Sequence, residues 1–457
     1  MPQSSPRVAD LAPTVGRRRL ASNWLDRGGT MRHSSIFRSI VAALALAPGL
    51  ASALTDDEIN SGIQFNFSNP GARSLGLGGA FTGLADDATA VYANPAGLTI
   101  LRSQEFGSEV RHTAFDTPYT TGGNVRNNAF DPGDAGRDIA SDSLTQVSFA
   151  SWVKPLESAT LALYYHRIGD FKSEFVTDPT EFLDANGNGT DQVLAKVAEF
   201  EYQVDTLGVG VGYRVSDRFS VGLTVAYSDF SIDSSTLRFF DDEPLNFQRQ
   251  RGDDQDFAYT VGALWQISPQ WNLGLAYRAG ADFEYDASNE VIGTTLRLDR
   301  ETGFDLPNVF SVGLAYRPSD NWLFTLDANR VEYSRISDGL VTLFSLTGPP
   351  QALAIEDGTE IRLGGEYAFL DMDTPLFLRA GVWRDPDHRL SYQDAVPTTC
   401  TPDNVQRCFA AVIYPEGEDE MHYSVGLGWA FQKFQLDFAA DFSDLVDTYA
   451  ASGVVRF

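Results

Sequence analysis

What this chain has little of narrows the possibilities first. Of 457 residues only two are cysteine, four are methionine and five are histidine. Lys and Arg number 34 against 62 Asp and Glu, a formal net charge of -28. No basic stripe exists to neutralise phosphates, so nucleic acid is excluded as a partner. Beyond residue 60 no apolar run reaches the about 20 residues that a membrane-spanning helix needs. A chain of this composition either enters a membrane as a closed β-barrel or stays in water. Reactive motifs are equally sparse. No G-x-S-x-G occurs, and His112, His166, His388 and His422 stand in no nucleophile arrangement, so the chain reads as a non-enzyme. Cys400 and Cys408 are read as a disulfide stapling a long loop, because an exported chain meets an oxidising compartment. No histidine lies beside them to suggest a metal.

What is present has an order. Residues 1–30 are Arg-rich and aperiodic and are read as an over-extended start. Met31 opens a signal peptide over 31–53: Arg32 and Arg38, then the apolar Ile40–Leu50, then Ala51-Ser52-Ala53 as an A-x-A cleavage site. Residues 54–103 follow as a compact hatch. Its centre, Gly71 to Leu98, is too rich in Gly and Ala for a barrel strand. It carries a small apolar surface (Leu75, Leu77, Phe81, Leu84, Val91, Tyr92) interrupted by Asp86-Asp87 and Asn94-Pro95. Asp and Asn bond nearby backbone and Pro fixes φ, so these pairs mark turns or helix starts. One short helix is expected near Asp86–Tyr92.

From 104 to 457 the chain alternates with period 2. In Val309–Arg317, Phe310, Val312, Leu314 and Tyr316 point one way and Ser311, Gly313, Ala315 and Arg317 the other. Five short turns carry aromatics at the strand ends, as in Tyr213-RVSDR-Phe219 and Trp265-QISPQ-Trp271. Rings so placed suit a membrane–water boundary. Longer acidic connections (116–142, 173–198, 240–255, 286–306, 337–357 and 385–418) lie between the short turns, as in an outer-membrane barrel. Strand centres fall near 109, 148, 165, 207, 225, 261, 278, 312, 327, 364, 381, 425, 438 and 452. The fold class is therefore all-β: a 14-stranded antiparallel transmembrane barrel with the hatch in its lumen. The terminal Phe457 is the mark read by the barrel insertion machinery. Lumen-side charges (Asp327, Glu360, Arg362, Glu366, Asp437, Asp441, Arg456) are expected to pair with the hatch and with each other. Asp184, Asn186, Asn188 and Asp191 follow the start of a calcium loop. The twelfth position is Ala195 instead of Glu, so the match is partial. A structural calcium there is the one cofactor the sequence offers.

The hatch residues Asp86 and Asp87, in Ala-Asp-Asp-Ala, and Asn94, Pro95, Ala96 and Gly97 resemble the FadL/TodX outer-membrane transport family. Signal peptide, strand count and terminal Phe agree with that family over the whole mature chain. The resemblance implies a monomer in a Gram-negative outer membrane, among lipid and lipopolysaccharide. It implies passive uptake of hydrophobic compounds, such as long-chain fatty acids or hydrocarbons, with capture under the third and fourth loops. Exit is then sideways, where the third strand kinks. Mapped here, greasy positions are Leu237, Phe239, Phe240, Leu245 and Phe247 in the third long loop. Val291, Ile292, Leu296 and Phe304 mark the fourth, and Phe344 the fifth. Gly169 is the candidate kink, since Gly inside a strand often marks a bend. Related families share the hatch motif, so a same-fold protein serving secretion or adhesion is the alternative.

Overall fold

Side chains that alternate in polarity need two different surroundings, and the chain supplies them by closing a sheet on itself. The computed structural model describes residues 60–457 apart from 61, 66, 127–134, 184–188, 337–352 and 399–404. The leader at 1–53, Phe344, Cys400 and the calcium-loop residues Asp184, Asn186 and Asn188 lie outside the described residues. The hatch comprises α1 (Ala72–Gly76), α2 (Ala90–Ala93) and a 3-10 turn (Pro95–Ile100). The strands follow as β1 (Glu105–Arg126), β2 (Ala135–Pro155), β3 (Ala159–Thr177), β4 (Thr180–Leu183), β5 (Gly189–Val193), β6 (Ala195–Ser216) and β7 (Phe219–Phe240). Next are β8 (Glu243–Ser268), β9 (Trp271–Ala279), β10 (Asp282–Val291), β11 (Arg297–Asp305), β12 (Val309–Tyr316) and β13 (Trp322–Val331). The remainder are β14 (Leu353–Ala354), β15 (Gly358–Phe369), β16 (Leu376–Asp385), β17 (Ser391–Tyr392), α3 (Val405–Ile413), β18 (Glu420–Ala430), β19 (Phe434–Phe442) and β20 (Val446–Arg456).

With β9–β10 and β11–β12 each counted as one interrupted stave, and β4, β5, β14 and β17 set aside as outer additions, the wall has 14 strands. It closes where β1 pairs β20, Glu105 opposite Arg456 through Phe115 opposite Val446. All fourteen sequence-derived centres fall inside wall strands. The outward face is apolar and bare: Leu207 is 63% exposed and Val425 56%. No soluble protein leaves so wide an apolar belt in water, and lipid is the surrounding that accepts it. Tyr213, Phe219, Trp265, Trp271 and Trp322 form an exposed girdle at the short-turn end.

The hatch touches the wall backbone to backbone. Gly212 lies opposite Gly222, and Gly222 opposite Gly262; Gly274 faces Gly313, and Gly364 faces Gly381. A methyl on Gly222 would overlap the Pro95 carbonyl carbon and Ala96 nitrogen; one on Gly262 would overlap Asn94 Oδ1. Removing the Cβ is what lets two backbones approach this closely. Asn94 is the central anchor. Its Oδ1 accepts from Ala96 N (3.2 Å), and its Nδ2 donates to Thr82 O (3.0 Å) and Ala263 O (3.1 Å), with Pro95 starting the next turn. Asp87 accepts from Thr89 N (2.9 Å) and Thr89 Oγ1 (2.6 Å). The helix expected over 86–92 is therefore shorter and later, at 90–93, because the Asp87 side chain holds the backbone in a turn first.

Charges finish the attachment. Asp327, fully buried, accepts the amides of Phe81 (2.8 Å) and Thr82 (2.7 Å). Arg73 of α1 bonds Asp86 (2.5 Å) and Glu366 (3.2 Å). Arg379 bonds Glu366 (2.7 Å) and Asp437 (2.6 Å). Arg362 reaches Glu360 (2.9 Å) and Gly78 O (3.1 Å), and Arg456 reaches Glu105 (3.0 Å). Asp441 accepts from Trp383 Nε1 (3.1 Å) and meets His422 Nδ1 (2.6 Å).

Several stretches expected as long loops are strand instead. The connection read over 240–255 is a two-residue turn at Asp241-Asp242, φ 48° and 63°, joining β7 and β8. Above the membrane both strand faces can be polar, so the alternation fades while the ladder continues.

Candidate functional site

Above the hatch the inside of the barrel is aromatic. On the lower staves the apolar residues face out; higher up they face in. β7 shows the change: Leu223, Val225 and Tyr227 are exposed, then Phe230 and Ile232 are buried between exposed Asp229 and Asp233. Phe230 stacks on Phe283 (5.0 Å, 11°) and on Phe304 (5.0 Å, 9°). Tyr202 joins Phe304 (5.3 Å) and Phe171 (6.3 Å), and Phe65 of the N-terminal segment lies 6.0 Å from Phe304. These rings belong to one buried apolar cluster that continues down to Phe81, Val91 and Tyr92 of the hatch.

The wall beside this cluster is incomplete. β2 and β3 pair only from Pro155 opposite Thr160 up to Phe149 opposite His166. Beyond that, β2 stays with β1 while β3 stays with β6. The β3–β6 register shifts between Arg167 and Gly169, so Ile168 is the extra residue of a bulge and Gly169 sits at its edge. The freed half of β3 leans inward, placing Phe171 5.2 Å from Phe115 and Phe175 4.8 Å from Tyr119 of β1. Arg167 Nη1 donates to Gln146 Oε1 (3.1 Å) across the parted strands.

The greasy residues assigned to a third loop stand on the β7–β8 hairpin. Leu237 and Phe239 are buried with Val176, Ala195, Val197 and Ile292, and Phe247 packs against them. Leu245 is buried and Phe240 is half-buried. Val291 and Ile292 are buried and Leu296 exposed, whereas Phe304 is in the main aromatic cluster. Asp191 falls on β5, opposite Phe182. Cys408 is buried in α3 against Val125, Phe182 and Val412.

The sequence reading missed Phe171, Phe200, Tyr202, Phe230 and Phe283. For Phe200, Tyr202 and Phe230 the signal was available: each sits one residue out of phase with the lipid-facing positions lower on its own strand. Phe171 follows the bulge in β3 and Phe283 the break between β9 and β10, and each interruption resets the phase. Lys196 and Arg238, both 2% exposed, face each other on β6 and β7 beside this region. Lys196 Nζ lies 5.4 Å from the Phe175 ring centre. Thr236 Oγ1, two residues from Arg238, and Ser173 Oγ and Ser234 Oγ, at the level of Phe200, are buried with no hydrogen-bond partner among the described residues.

The connection after β16 caps the outer end. His388 stacks on Tyr333 (4.4 Å, 11°), lies 6.4 Å from Phe65, and bonds Pro386 O (2.9 Å) and Asp385 (3.4 Å). Burial pulls its pKa down, but the Asp385 carboxylate and the Pro386 carbonyl outweigh this and hold it up at about 9. A raised pKa means the contact contributes fully below the ordinary value near 6.5 and is lost as pH rises through about 9. With the base-catalysed rise of the intrinsic exchange rate divided out, protection from hydrogen exchange in 386–392 and around Phe65 is therefore expected to fall between those limits in the native protein. His388→Gln abolishes that pH dependence. An unchanged profile in the variant assigns the effect elsewhere.

A family profile described as outer membrane protein transport protein (OMPP1/FadL/TodX) matches residues 61–450. Among solved structures, a Pseudomonas aeruginosa FadL homologue is similar at TM-score 0.59 and 15% identity, over 87% of this chain and 100% of that one. The Ralstonia pickettii toluene transporter TbuX gives 0.56 and 16%, over 86% and 99%. The Pseudomonas putida toluene transporter TodX gives 0.56 and 14%, over 86% and 99%. At such identities the likeness is one of fold. A comparison with curated proteins finds no match.

Proposed function

Because the chain belongs to the OMPP1/FadL/TodX family of outer membrane transport proteins, we propose that it passes hydrophobic small molecules inward by diffusion, through the aromatic lumen and out sideways between β2 and β3. The observation that carries this reading is the ladder that stops at Phe149 and His166, next to a buried aromatic interior and above a hatch that fills the barrel. An apolar molecule moving along buried rings gains about 25 cal/mol for each Å² of its surface kept out of water. The sideways step then delivers it to lipid without passing the hatch. Such an interior favours solute uptake over the secretion or adhesion alternative, which needs only the outer surface.

The solved relatives include toluene transporters. Here the buried Lys196 and Arg238, the latter held by the side chains of Asn246 and Gln248, with the Thr236 hydroxyl two residues away and without a partner among the described residues, favour ligands bearing an acidic head, so long-chain acids ahead of bare hydrocarbons. The test is uptake by cells of a labelled long-chain acid and its methyl ester, at equal surface expression. The acid is expected to enter faster. In Gly169→Val, whose new side chain presses on Tyr202 Cε2 (2.9 Å from the first added carbon), both are expected to slow severalfold. Unchanged uptake in the variant removes the bulge from the exit; equal rates for acid and ester remove the acidic-head preference.

A further inference from the structure

A cavity of about 490 Å³ opens beneath the hatch, at the short-turn end of the barrel. That is within the usual range for a small-molecule site. Four guanidinium groups line it: Arg102 from the end of the hatch, Arg214 and Arg218 from the β6–β7 turn, and Arg317 following β12. The acids present are Asp86 and Asp217, and Asp86 is already bonded to Arg73 (2.5 Å) and Arg317 (2.8 Å). Arg214 Nη2 donates to Thr99 O (2.6 Å), a neutral acceptor. Arg102 and Arg218 make no ion pair among the described residues and stand exposed at the mouth. Gln266, Gln270 and Asn272 add neutral donors to the same lining.

This arrangement is out of keeping with the chain as a whole, whose formal charge is -28. Cations gathered round one cavity repel each other unless an anion sits among them. We propose that this vestibule binds a small oxyanion, a carboxylate or a phosphate, drawn from the periplasmic side. The forked N–H groups of arginine match the paired oxygens of either group. An anion held between Arg102 and Arg218 joins the last residues of the hatch to the wall. It complements the Arg317–Asp86 and Arg214–Thr99 contacts on the same underside. The site is independent of what the lumen carries.

The test uses the full protein in a nonionic detergent, titrated calorimetrically with citrate and with inorganic phosphate at ionic strength held constant by chloride. Saturable binding is expected. In R102Q/R218Q, whose altered side chains are exposed and whose fold is checked by heat-modifiable gel mobility, affinity falls about tenfold or more, the scale of one lost charged hydrogen bond. Binding of a hydrophobic probe is unchanged in that variant. Repeating the citrate titration in phosphatidylglycerol and phosphatidylcholine nanodiscs separates the two sources of oxyanion. Weaker citrate binding in the anionic discs assigns the site to a lipid headgroup, and equal binding assigns it to a soluble anion. Absence of saturable binding by both anions, or equal affinity in the double variant, overturns the proposal.

Discussion

Gly222→Leu is expected to expel the hatch and convert the closed barrel into a conducting pore. The position faces inward, where an added Cβ overlaps the Pro95 carbonyl carbon and Ala96 nitrogen. These are backbone atoms of a turn that Asn94 already fixes from two sides, so neither can step aside as a side-chain tip would. The flanking positions across the sheet, Gly212 and Gly262, are in the same close contact with residues 94–99 and offer no slack. Overpacking against side chains costs about 1–3 kcal/mol; against backbone, the upper end is the expected starting point. The wall itself loses nothing, because its ladder does not pass through the Cβ. A 14-stranded cylinder lies between the filled eight-strand barrels and the open porins, so without its hatch it holds water. Planar-bilayer recordings are expected to show steady ohmic conductance absent from the native protein, with heat-modifiable mobility intact. A silent variant would mean that the hatch does not depend on this contact.

Arg379→Met is expected to give the largest loss of stability of any single charge change in the lumen. The side chain is wholly buried and serves two acids, Glu366 at 2.7 Å and Asp437 at 2.6 Å. Glu366 keeps Arg73, but Asp437 is left buried with its main cation gone. Removing one partner of such a pair costs about 3–5 kcal/mol, more than the pair itself contributes, because the remaining charge cannot be hydrated. Adding Asp437→Asn to the variant is therefore expected to restore most of the loss. Denaturant unfolding in micelles measures both. A drop below about 1 kcal/mol for Arg379→Met would show the lumen wall to be wet enough to solvate Asp437.

These two cases show how far residue type alone reaches. The wall was legible because lipid on one side and hatch on the other force a strict period of two, as in Val309–Tyr316 and Phe434–Phe442. The hatch was legible because Asn94-Pro95 and the glycines around it permit only turns. The reach of the strands was not. In β7 the alternation that identifies the lower half reverses at Tyr227, and a reader tracking one phase sees the pattern dissolve and writes a loop. The same reversal hid Phe230, which looks like a misplaced lipid-facing residue until the surrounding solvent is known to have changed; Phe283 was hidden by the break between β9 and β10, which resets the phase. Leu237 and Phe239 were recognised as apolar, but their position was not, since Asp241-Asp242 gives no sign of how straight its flanks run. The parting of β2 from β3 depends on pairing partners far apart in the chain, and no local spacing encodes it.

The reversal along β7 also says something about how such a wall can change over time. Below Tyr227 a hydrophobe on the outer surface is compulsory; above it the same surface is free to vary, since its outward positions Asp229 and Asp233 are charged and exposed. One unbroken ribbon of hydrogen bonds thus carries two regimes of tolerance, divided at a single ring. The portion that meets the outside world can be rewritten residue by residue while the part embedded in the bilayer stands still.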